Sequence, residues 1–90
     1  MAIILNNGVA GATSTTHAAT GVTEVICAGN FGICTVAIEV RGDATTDWAP
    51  AHTFFAPGGV SLQVASGTSI RAKVAGQASP VAAIDVTCNP

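Results

Sequence analysis

The side chains able to do chemistry in this 90-residue chain are few: three cysteines (Cys27, Cys34 and Cys88), two histidines (His17 and His52) and five carboxylates. A thiol or hydroxyl nucleophile needs a base within hydrogen-bond reach and a third group to orient that base. No spacing of Cys and His here fixes such a geometry, and the cysteines lack the intervals of a zinc site. Glu39, Asp43 and Asp47 lie close in sequence, but they do not follow the EF-hand pattern that gathers oxygens around calcium. They read as solvated carboxylates around a strand end, so no metal and no cofactor is expected. Arg41-Gly42-Asp43 spells a tripeptide that some adhesion receptors recognise, yet Gly and Asp directly after a strand are first of all turn residues. No GxxxxGK[ST] phosphate loop and no strand-linked GxGxxG occurs. A catalytic role is the least favoured class.

The elements that must position these residues are strands. Val60, Leu62 and Val64 share a face, as do Ile70, Ala72 and Val74, and then Ala82, Ile84, Val86 and Cys88. Ser61, Gln63, Arg71, Lys73, Asp85 and Thr87 point the opposite way, which is the mark of half-buried antiparallel strands. Upstream, Gly21 to Cys27 and Ile33 to Arg41 also read as strands, and the break between them has the signature of a hairpin. Cys34 and Cys88 share parity with Val36 and Val86, which makes them core thiols. Cys27 and Cys34 flank the first turn, and a disulfide between them is left to geometry. A short strand is expected at Thr53 to Phe55; adjacent Phe54 and Phe55 then point to opposite faces, and Trp48 is expected to plug the interior. Turn signals every eight to twelve residues and the lack of a helical stretch predict an all-β fold. The expected form is a small antiparallel β-sandwich or barrel of about seven strands. Residues 1–20, a short strand at Ala2 to Leu5 followed by a run of Gly, Ala, Thr and Asn, are expected to form an extended N-terminal arm on a β-sandwich domain of residues 21–90.

Composition narrows the partners. The chain is 49% hydrophobic but only 4% aromatic, so its core is built from small side chains. Charged residues make up 9%, against roughly 25% in an ordinary soluble domain. A surface this poor in ions is easily covered, because few charges must be desolvated. Three basic residues and a net charge of −2 cannot make a phosphate-neutralising patch, so nucleic acid is not an expected partner. No run of about 20 apolar residues suggests a membrane span, and the start lacks a secretory pattern, so synthesis in a cytoplasm is expected.

Several phrases together resemble small structural proteins of tailed bacteriophages: Thr20-Gly21-Val22-Thr23 opening a strand, the run from Phe31 to Val40, the short turn ending in Trp48, and Thr68 to Gly76 followed by Ser79-Pro80 and a terminal strand. Proteins similar in this way are β-sandwich virion components, either capsid decorations or parts of tails and fibres. The resemblance implies a decoration (cement) protein located in the virion, binding the major capsid protein or other virion proteins and associating with itself, with a trimer favoured. A tail or fibre module binding a host-surface glycan or protein is the alternative. Ile3, Ile4 and Leu5 of the arm, together with Phe54 and Phe55, are the candidate interface residues.

Overall fold

The computed structural model describes residues 2–19, 21–42, 46–76 and 82–89. Among these are eight strands and no helix: β1 (Ala2–Gly8), β2 (His17–Ala18), β3 (Val22–Asn30), β4 (Thr35–Arg41), β5 (Ala49–Phe54), β6 (Gly58–Gln63), β7 (Ser69–Ala75) and β8 (Ala83–Asn89). They form two four-stranded antiparallel sheets, ordered β1-β8-β3-β6 and β2-β7-β4-β5. The expected all-β sandwich is therefore present, with one strand more than the hydrophobic alternation shows. That strand is β2, two residues long and without an apolar pattern.

The pairings are nested. β1 pairs with β8, β2 with β7, β3 with β6, and only β4 and β5 form a sequential hairpin. A long hairpin rolled onto itself follows this path, which is that of the double-sheet jelly roll. The hairpin expected between β3 and β4 is absent: β3 lies in the first sheet and β4 in the second. Val25 and Cys27 on β3 and Val36 and Ile38 on β4 all point inward and are all essentially inaccessible, so the two rows face one another across the core. The link between them is a corner. Gly32 N donates to Asn30 Oδ1 at 3.0 Å, Cys34 N donates to the Phe31 carbonyl at 2.9 Å, and Phe31 is buried there.

The inward rows predicted for the last third hold throughout. Ile70, Ala72 and Val74 on β7 and Ile84, Val86 and Cys88 on β8 are all at most 1% exposed. Val60, Leu62 and Val64 are half-buried against the same core, because β6 is an edge strand. Thr23 occupies the inward row of β3, and its Oγ1 has no hydrogen-bond partner among the described residues. Its β-branched shape, rather than its hydroxyl, suits the site.

Residues 2–19 differ from the expected arm. β1 is longer than anticipated and lies alongside β8. Beyond it the chain runs along β7: Gly11 N donates to the Val74 carbonyl, Val74 N to the Ala12 carbonyl, Ser14 N to the Ala72 carbonyl and Ala19 N to the Thr68 carbonyl, all at 2.8–3.0 Å. Ser14 Oγ also accepts from Ala72 N at 2.7 Å. The radius of gyration, 12.3 Å, is that of a compact chain of this length, about 12 Å, so the described residues include no projecting segment. The low-complexity run has little to bury by itself, but its backbone groups satisfy the flank of β7 that would otherwise be bare.

Candidate functional site

Strand alternation gives the sandwich two outer faces, and the charged residues divide between them. On the outside of the second sheet, β4 presents Glu39 and Arg41, while β7 presents Arg71 and Lys73. Glu39 lies directly opposite Arg71 and Ala37 opposite Lys73. All three basic side chains of the protein are thus on one face. Arg71 Nε donates to Glu39 Oε1 at 2.7 Å, with both side chains about one-fifth to one-quarter exposed. Trp48 completes the cluster, its ring centroid 4.2 Å from the Arg71 guanidinium carbon and 4.9 Å from that of Arg41.

This overturns the expectation that Trp48 fills the interior. Ile38 and Ile70 already occupy the space beneath this sheet, and two guanidinium groups above it offer the indole a cation–π environment. It also bears on the Arg41-Gly42-Asp43 phrase. Arg41 stacks on Trp48, and Asp43 lies outside the described residues. Of the three carboxylates considered for calcium, Glu39 is ion-paired and Asp47 is exposed, whereas Asp43 is again outside. The described residues include no group of three His, Cys, Asp or Glu side chains placed to hold a metal ion.

The outside of the first sheet is apolar and acidic. One row crosses all four strands: Ile3 on β1 opposite Thr87 on β8, Thr87 opposite Ile26 on β3, and Ile26 opposite Gly59 on β6. Ile3 is 63% exposed, Ile26 44% and Val22, on the same face of β3, 56%. Glu24 and Asp85 supply the charge, and Asp85 Oδ1 accepts a hydrogen bond from Asn7 N at 2.9 Å. Because Gly59 has no side chain, a shallow depression of about 220 Å³ opens beside Ile26, lined by Glu24, Ile26, Gly59, Val60 and Ser61.

The five candidate interface residues separate cleanly. Ile3 and Phe55 are on the surface, Phe55 at 77% exposure, whereas Ile4 and Phe54 are each 5% exposed and Leu5 is half-buried against the core. Adjacent Phe54 and Phe55 do point opposite ways, and Phe54 is the inward one, with the His52 ring edge-on at 4.6 Å. Val22 and Ile26 are exposed apolar residues that reasoning from the buried rows passed over. Their signal was present in the alternation of β3, where they occupy outward positions beside Glu24.

None of the three cysteines forms a disulfide. Cys27 is on β3 of the first sheet and Cys34 precedes β4 of the second, and the thiol that neighbours Cys27 is Cys88, two residues along from its direct partner Val86 and on the same inward face. Burial, and secondarily the Cys88 thiol, push the Cys27 thiol from its ordinary 9.0 up to about 12, and burial raises Cys88 as well. Such thiols are poor nucleophiles at neutral pH. The folded state holds their protons longer than the unfolded chain does, so this contribution to stability is complete below about pH 9 and is lost as the pH rises toward 12. Thermal melts should show that alkaline decline, and Cys27→Ala should flatten it.

The described residues contain no helix long and apolar enough to cross a membrane. No family model, no curated protein and no solved structure matches this chain.

Proposed function

We propose that the protein is a structural component of a virion, a decoration protein that binds an assembled capsid shell and stabilises it, and that it works without catalysis. The observation that carries this is the outer face of the first sheet, where Ile3, Val22 and Ile26 stand exposed among small and hydroxyl side chains with only Glu24 and Asp85 charged. A face of that kind loses little by desolvation when another protein covers it. Jelly rolls serve as capsid domains and as lectin domains, so the fold is compatible by analogy and does not choose between them. The chemistry of the second face favours the first. A glycan platform needs open aromatic rings with polar neighbours; the Trp48 ring has two guanidinium groups stacked on it, and Phe55 is the one open ring left among the described residues.

Each contact with a shell would be small. Linked contacts gain effective concentration, so an oligomer touching several capsid subunits holds far more firmly than one patch does. A ligand that binds only the assembled shell also shifts the disassembly equilibrium toward the shell by mass action. The test is titration of the purified protein onto expanded, undecorated tailed-phage capsids. Saturable binding at a fixed ratio to capsid subunits is expected, and Ile3→Asp with Ile26→Asp should weaken it about tenfold or more without changing the fold, since the two side chains lie at positions already exposed. Full occupancy by the double variant would reject the face. Absence of binding, with glycan binding on an array, would move the assignment to the tail or fibre alternative.

A further inference from the structure

Sheet edges are sites where chains join, because their outer N–H and C=O groups lack partners. This sandwich has four edges, and three are blunted. β1 carries two register shifts and Asn7 at φ 53°, β2 is two residues long, and β5 carries Pro50 and a register shift beside it. β6 has none of these devices. It is a regular six-residue strand, Gly58-Gly-Val-Ser-Leu-Gln63, uncharged and free of proline, whose register with β3 runs without interruption from Val22–Gln63 to Cys27–Gly58. Among the described residues no strand covers its far side.

The direction of its backbone groups follows from one hydrogen bond. Val64 N donates to the Gly21 carbonyl at 3.3 Å, so by alternation Leu62, Val60 and Gly58 also turn toward β3. Gly59, Ser61 and Gln63 therefore send their N–H and C=O groups outward, and all three are exposed.

We infer that β6 is a self-association edge, pairing antiparallel with β6 of a second copy about a two-fold axis through Ser61. The second copy is the fitting occupant because the other three edges of each molecule are blunted, which leaves β6 as the sheet edge of one copy able to meet another. Such a contact is isologous and closes at two. Only the register centred on Ser61 places all three outward residues opposite outward residues: Ser61 against Ser61 of the second copy, and Gly59 against Gln63 in both directions. A shift by one step in either direction sets Gln63 against Pro57, which has no N–H, or leaves Gly59 beyond the end of the strand. On the inner side the same register brings Val60 against Leu62 of the second copy twice, covering two half-buried apolar pairs. On the outer side the Gln63 side chain lies opposite the side-chain-free Gly59, at the depression beside Ile26 and Glu24. With no charge on β6, the two strands meet without like-charge repulsion. The trimer expected from the resemblance cannot be closed through this edge.

Sedimentation equilibrium should give twice the 8.8 kDa chain mass. Ser61→Pro removes an outward donor and no bond to β3, so it should raise the dissociation constant about tenfold to hundredfold with unchanged far-UV circular dichroism. Because position 61 faces itself, Ser61→Lys and Ser61→Glu should each sediment as monomers at low salt, while their equimolar mixture should restore a dimer. This pair keeps the test intact if the proline variant fails to fold. A wild-type chain that remains at 8.8 kDa up to millimolar concentration, a trimer, or charge variants that dimerise singly as well as mixed would each overturn the inference. The outcome is independent of shell binding: a dimer that ignores capsids rejects only the decoration role, and a monomer that coats them rejects only the seam.

Discussion

A chain lacking residues 1–20 is expected to lose its cooperative unfolding transition and to expose its core to a hydrophobic dye. Deletion removes β1 from beside β8 and the 9–19 segment from beside β7, so both sheets lose an edge at once. Among the described residues, five backbone hydrogen bonds to the remainder disappear besides the β1–β8 and β2–β7 ladders: those of Gly11, Ala12 and Ser14 with β7, and the two that Ala19 makes with Thr68 and Gly67. At about 1 kcal/mol net apiece, and with about 2–5 kcal/mol for loss of the buried Ile4 side chain, the deficit reaches the entire stability of a 90-residue domain, about 5–13 kcal/mol. An independent arm would give the opposite result, a folded sandwich with an unchanged melt. Differential scanning calorimetry of the truncated chain separates the two: a sharp endotherm would show that residues 21–90 are self-sufficient. The same reasoning makes point substitutions on the outer face, rather than deletion, the proper probe of shell binding.

What was legible in the sequence is the division of each strand into an inner and an outer row. Period two is imposed locally by the pleat, and the rows containing Ile70, Ile84 and Val36 report it directly. What was not legible is which strand lies beside which. Alternation says that Val25 and Ile38 both face the core, and it is silent on whether they do so from one sheet or from two. The corner at Phe31 to Cys34 has the residues of a hairpin turn, and its tertiary use is decided by β6 and β8 occupying both sides of β3. The segment from Val9 to Ala19 escaped for a related reason. Its contribution is backbone hydrogen bonding, which side-chain patterns do not record.

The candidate site was legible to the same degree. That Phe54 and Phe55 part company follows from strand geometry, but which of them leaves the core depends on the register of β5 against β4, where Val36 opposes Phe54. Trp48 was misplaced because a large aromatic in a small-residue chain suggests a plug. Its position is set by Arg41 and Arg71, far apart in sequence and adjacent only once β4 and β7 pair. The segregation of all basic residues to one face and of the exposed Ile3 and Ile26 to the other is a consequence of topology. No composition figure contains it, although a charged content of 9% already leaves few ions to distribute.

Gly29→Ala is expected to be strongly destabilising, because of all the glycines whose surroundings are described it brings an added methyl nearest to a backbone atom. The sequence breaks the strand at Ala28, yet β3 runs on to Asn30, with Gly29 opposite Ile84 at φ 99°. A Cβ at this position would sit 2.3 Å from the Ala83 carbonyl oxygen, a backbone atom of the central strand β8 that has no flexible end to move aside. The left-handed conformation alone costs an L-residue about 1–2 kcal/mol. Relieving the overlap requires the two central strands β3 and β8 to separate at this end of their ladder, which adds ladder hydrogen bonds and the inward packing of Ile84 to the loss. About 3 kcal/mol or more is expected in total, a fall in melting temperature of at least about 12 °C for a domain of this size. Gly11→Ala is the matched control. Gly11 also has a positive φ, 86°, but nothing lies within 4 Å of the place its added methyl would take, so it should register only the dihedral cost of about 1–2 kcal/mol, less than the Gly29 variant loses. Equal losses for the two variants would mean that β8 yields to the new methyl freely, and the contact between Gly29 and Ala83 would then have no part in holding the central strands together.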